Sequence, residues 1–127
     1  MQKACPCHSG KTYQDCCAPF HLGEHAPTAE QLMRSRYSAY VLKLVEYLHL
    51  TWHPTTKPDD LTTESLQGIK WMGLKVLSKE NTSAEHATVT FSATFKIGQQ
   101  KNQLLHETSR FIFENGQWFY VDGDLYH

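Results

Sequence analysis

The sequence is poor in the features that would place it in a special class. No apolar run approaches the roughly 20 residues that a membrane helix requires, so no membrane span is expected. Its opening, MQKACPCHSGK, lacks the apolar stretch of a secretory signal, and the reading is of a cytoplasmic protein. Twelve basic and thirteen acidic side chains give a formal net charge of -1, so no dominant positive face invites nucleic acid. There is no internal repeat, no low-complexity segment, no Ser-His-Asp order and no phosphate loop or nucleotide motif. Beyond residue 17 there is no cysteine at all, which excludes a disulfide framework stapling distant segments. What is present is 127 residues, 40% hydrophobic and 12% aromatic, enough for one ordinary core and at most a small appendage.

That appendage is the cysteine-rich stretch 1–21; the second unit spans 22–127. The pattern C-x-C-x8-C-C places Cys5, Cys7, Cys16 and Cys17 around one short turn. Neighbouring cysteines such as Cys16 and Cys17 make a strained disulfide. A redox dithiol would most simply be C-x-x-C in a βαβ setting, and neither is present. Four thiolates instead satisfy a zinc ion, which takes sulfur ligands tetrahedrally at about 2.3 Å. Pro6 presets the backbone between the first pair, and Ser9-Gly10 supplies the turn. With all positions filled by protein, the zinc is structural. His8 and His21 are alternative ligands, His21 if adjacent cysteines cannot both reach. So short a segment takes its folding free energy from the metal. The rest of the chain is expected to keep its cooperative melting without it.

Thr28 is a good N-cap, and Met33, Tyr37, Tyr40, Val41, Leu44, Tyr47 and Leu48 repeat at helical spacing. They predict one amphipathic helix of five to six turns ended by Pro54. LTTESLQG reads as a short helix-like piece stopped by Gly68. About four strands follow. AEHATVTFSATFKIG alternates with a period of two, and Asn115-Gly116 marks a hairpin. The class is α+β, an antiparallel sheet on a long N-terminal helix.

CPCHSGKTYQDCC resembles the SEC-C zinc motif known from the tail of the SecA translocation ATPase. Cys5, Cys7, Ser9, Gly10, Lys11, Tyr13, Cys16 and Cys17 match it, whereas His8 stands where the motif has glycine. The resemblance implies that Cys17 is a ligand and that the knuckle docks to protein. LMRSRYSAYVL, TWHP, FKIG and HETSRFIFENGQWFYVDGD are similar to the YchJ-like family of uncharacterised bacterial proteins. That resemblance implies a nuclear transport factor two-like domain, a cone of antiparallel sheet wrapped on helices. Members often carry a second SEC-C motif at the C-terminus. This sequence, ending at His127, has none, so a role needing two knuckles is not expected.

Cones of this type often enclose a cavity. The candidate lining is Arg36, Tyr37, Glu107, Ser109 and Asp122, with no catalytic residue assigned. Glu107 and Ser109 share a strand face with Phe111 and Phe113. Glu107 reads either as a structural partner of Arg36 or Arg34, or as a general base with a pKa raised by burial. Two functions compete: a zinc-binding module that docks a protein partner, and a small-ligand binder or enzyme that uses the cavity. Nucleic-acid binding through Lys3 and Lys11 is disfavoured by the mild net charge.

Overall fold

A computed structural model describes residues 3–59, 61–62 and 68–126. Three helices precede a four-stranded sheet: α1 (Ala18–His21), α2 (Ala29–Leu42), α3 (Val45–Leu50), β1 (Ile69–Asn81), β2 (His86–Ile97), β3 (Gln103–Glu114) and β4 (Gln117–Tyr126). The strands pair as an antiparallel meander in the order β1-β2-β3-β4. The helix-like reading of LTTESLQG falls mostly on 63–67, outside the described residues.

Thr28 caps α2 as expected: its Oγ1 accepts from the Gln31 amide at 3.1 Å. The single long helix is corrected. Lys43 turns left-handed (φ 60, ψ 43), and the Leu44 amide bonds back to the Ala39 carbonyl at 2.8 Å. The chain then restarts as α3, folded against α2 around Ala39 and Leu48, both 0% exposed. The apolar spacing continues through the break because α3 is helical too, and periodicity does not register one residue of reversed φ.

β2 buries Ala87, Val89, Phe91 and Ala93 on one face, the alternation its sequence predicts. That face packs with Phe111 of β3, Trp118 of β4 and α2. β3 and β4 pair with a bulge: Phe111 opposes Tyr120, and Arg110 opposes Asp122. Val121 is the extra residue, and it reverses the facing of everything after it. The described residues contain no helix long and apolar enough to cross a membrane.

Candidate functional site

The N-terminal knuckle is a minimal hairpin leading into α1. Its legs are joined by Cys5 N–H to the Lys11 carbonyl and Tyr13 N–H to the Lys3 carbonyl, each 2.9 Å. Both turn residues take positive φ, His8 at 61° and Gly10 at 91°. This explains the glycine of the resembling motif at position 8. An L-residue there costs on the order of 1 kcal/mol more than glycine. Cys17 is the N-cap residue of α1, so Cys16 and Cys17 leave the chain on a tight bend and aim at the Cys5–Cys7 turn.

The four Sγ atoms lie within 4.8 Å of one another, and no cysteine is in a disulfide. The group could hold a metal ion. Donors surround it: Ser9 Oγ is 3.2 Å from Cys16 Sγ, and the Ser38 hydroxyl donates to Cys17 Sγ at 3.3 Å and lies 3.6 Å from Cys5 Sγ. The Cys17 thiol beside it, more than any other neighbour, lowers the Cys7 pKa to about 4. Cys17 is pushed up chiefly by that same contact, and Cys16 by burial. A divalent ion held by the four sulfurs would offset the negative charge of their thiolates.

Neither histidine joins the sulfurs. His21 Nε2 faces the Ser35 carbonyl at 2.8 Å, and Nδ1 meets the Tyr13 hydroxyl at 2.6 Å. A carbonyl only accepts, so Nε2 carries the proton and Nδ1 accepts from Tyr13. Burial lowers the His21 pKa, favouring that neutral ring. His8 is exposed, its ring 6.2 Å from that of Tyr37. The role of Tyr13 is thus to link knuckle to α2 through His21.

The second feature is a cavity of about 230 Å³ between α2 and the concave face of the sheet. The structure brings Arg36, Tyr37, Glu107 and Ser109 to its wall, with Trp71 and Tyr120. Asp122 is not among them. The bulge at Val121 turns it to the opposite face, where Arg110 bonds both Asp122 and Asp124.

The pairing of Glu107 with an arginine is also corrected. Arg34 bonds Glu30 at 3.1 Å and the Cys7 carbonyl at 2.9 Å. Arg36, only 5% exposed, donates from Nη1 to the Leu48 carbonyl at 3.0 Å and to Thr51 Oγ1 at 2.7 Å. These acceptors close the end of α3, a position that exists only because the helix broke at Lys43. The guanidinium lies between two rings, Trp52 at 4.9 Å and Tyr120 at 4.6 Å to the centroid. Glu107 Oε2 instead accepts from Ser109 Oγ and from the Tyr120 hydroxyl. The Tyr37 hydroxyl is buried without a hydrogen bond of good geometry, the Gly73 amide beside it. Burial pushes the Tyr37 pKa up to about 12.

Two residues that sequence reasoning passed over complete the site. Ser38 is 0% exposed and touches the sulfurs; its one signal is its place four residues after Arg34, on the helix side facing the knuckle. Gly123 lies opposite Ser109, where a Cβ would stand 2.4 Å from Glu107 Oε2. Nothing local in the sequence signals that need.

Comparison with known proteins follows this division. The family described as "YchJ, middle NTF2-like domain" matches residues 28–123, and the SEC-C motif matches residues 3–19. A UPF0225 protein of Cupriavidus metallidurans is 51% identical over 128 residues, spanning 95% of this chain and 88% of that protein. A UPF0225 protein of Ralstonia nicotianae is 49% identical over 133 residues, spanning 96% of this chain and 91% of that one. The solution structure of a SEC-C motif containing protein from Rhodopseudomonas palustris matches with a TM-score of 0.86 at 35% identity, covering 97% of this chain and 98% of that chain.

Proposed function

This chain belongs to the YchJ family with an NTF2-like middle domain, and from that premise we propose that it is a small-molecule-binding protein whose cavity domain is fastened by one structural zinc ion. The observation that carries the ligand reading is the cavity itself. It holds a buried arginine without an ion-pair partner among the described residues, and a carboxylate on another wall. A cone filled by side chains would leave no room for this reading.

Zinc is the metal that the donor set favours. A tetrahedron with 2.3 Å arms has edges of about 3.8 Å. Cys7 and Cys16 are 3.6 Å apart at sulfur, and Cys16 and Cys17 are 3.8 Å apart. Four soft thiolates select zinc over hard cations and leave no open position for catalysis. Bound zinc would supply charge neutralisation at the sulfurs. Ser38 and Ser9 donate to those sulfurs, and Arg34 holds the Cys7 carbonyl. Elemental analysis of the reduced protein should give one zinc per chain. Protein that folds fully with no bound metal would sink the zinc assignment.

A second reading, a protein-docking knuckle, is favoured by a groove of about 470 Å³ between knuckle and α2, lined by Ser9, Lys11, Asp15, Glu24, His25 and Arg34. Both charge signs in it suit a charged polypeptide. Lys11→Glu combined with Asp15→Lys should abolish partner capture while zinc content and melting stay unchanged. Capture that survives the reversal would end this reading.

A further inference from the structure

We propose that the concave cavity binds a free amino acid with an apolar side chain, its α-carboxylate on Arg36 and its α-ammonium on Glu107. The inference rests on the small-ligand reading above and gives that site its chemistry.

Two opposite charges line this cavity, and no ion pair joins them. Tyr120 sits between: its ring face carries the Arg36 guanidinium, and its hydroxyl donates to Glu107 Oε2 at 3.3 Å. The two charged groups are therefore about one tyrosine apart, a gap that a short molecule can bridge.

Each charge is half satisfied. The two bonds from Arg36 use the hydrogens of Nη1 and go to neutral acceptors. Beyond Nη1, the Tyr40 side chain is a further hydrogen-bond partner of the guanidinium, and no carboxylate among the described residues reaches its Nη2 and Nε donors. A guanidinium taken out of water gains most from a carboxylate, which forms charge-assisted bonds to its planar edge. On Glu107 both donors, Ser109 and Tyr120, converge on Oε2, and among the described residues nothing bonds Oε1. The missing side chain at Gly123 is what lets the carboxylate sit there.

Charge balance narrows the ligand. A simple anion would satisfy Arg36 and add negative charge beside Glu107. A simple cation would do the reverse. A zwitterion answers both and changes the net charge of the buried site by nothing. A neutral amide matches the hydrogen bonds but leaves both charges uncompensated. Much of the remaining wall, including Tyr37, Trp71, Phe91, Met33 and Leu105, is aromatic or aliphatic and takes an apolar side chain. At about 230 Å³ the space lies below the roughly 300–1,000 Å³ of drug-sized pockets, which limits the occupant to one small molecule.

The test titrates the full-length, metal-loaded protein with L-leucine and L-phenylalanine, their N-acetyl and C-amide forms, and benzyl alcohol as an uncharged probe. Binding is read by calorimetry and by the Trp71 indole resonance. The free amino acids should saturate and shift Trp71, and capping either end should weaken binding at least tenfold. Because Arg36 also closes α3, its variants risk misfolding, so Glu107→Gln carries the mutational arm. It should weaken the free amino acids at least tenfold without lowering the melting temperature. Equal affinity for free and capped forms, or unchanged affinity in Glu107→Gln, overturns the inference. If benzyl alcohol moves Trp71 and no amino acid does, the inference falls and the small-ligand reading stands. If no probe moves Trp71, both fall.

Discussion

Removing the metal should melt the whole domain in one transition rather than loosen the first twenty residues alone. The composition of the sequence points the other way, since an aliphatic-poor knuckle reads as a separate appendage. In the folded chain Cys5, Cys7 and Cys17 are 5%, 0% and 1% exposed and belong to the same core cluster as Met33, Tyr37, Phe91 and Phe111. Three polar ties reinforce that burial. Ser38 donates to Cys17, Arg34 holds the Cys7 carbonyl, and the Tyr13–His21 pair reaches the Ser35 carbonyl. An emptied site leaves four sulfurs crowded within 4.8 Å of one another with no cation to bind them together. Structural zinc contributes on the order of 10–16 kcal/mol in small fingers, as much as a typical domain's entire stability of about 5–15 kcal/mol. A loss of even about 5 kcal/mol lowers the Tm by on the order of 15–30 °C. Thermal unfolding followed by Trp71 and Trp118 fluorescence, with and without a chelator and in Cys17→Ser, measures this. An unchanged transition in metal-free protein would contradict it.

Ser38→Ala should weaken metal affinity by about ten- to a hundredfold while leaving the metal-loaded fold intact. The hydroxyl is fully buried, and its bonds run to the sulfurs of Cys17 and Cys5. Its proton offsets negative charge on whichever sulfur it faces, and partners of this kind typically carry 10- to 100-fold in affinity. Alanine is a better helix former than serine and creates almost no void, so α2 loses nothing else. Competition against a chromophoric chelator reads the affinity, and circular dichroism of the loaded form reads the fold. Equal affinity in the two proteins would remove Ser38 from the site.

What could be read along the chain was what depends on near neighbours. Four cysteines within thirteen residues can meet without help from the rest of the fold. The alternation of β2 names its buried face, and Thr28 starts α2 through a bond to its own next turn. Lys43, by contrast, adopts a left-handed φ that its residue type does not announce. That break brings Arg36 to the end of α3 instead of to Glu107. One extra residue, Val121, turns Asp122 out of the cavity and places Gly123 over Glu107.

The sulfur cluster, the α+β class and the faces of the regular strands are legible in residue order alone, because each follows from spacing over a few residues. That three of the four knuckle cysteines lie in the core, and that a buried arginine and a carboxylate share one cavity without touching, emerges only when the chain is packed. Those outcomes hang on single backbone irregularities whose effects are felt tens of residues away, where periodicity carries no information.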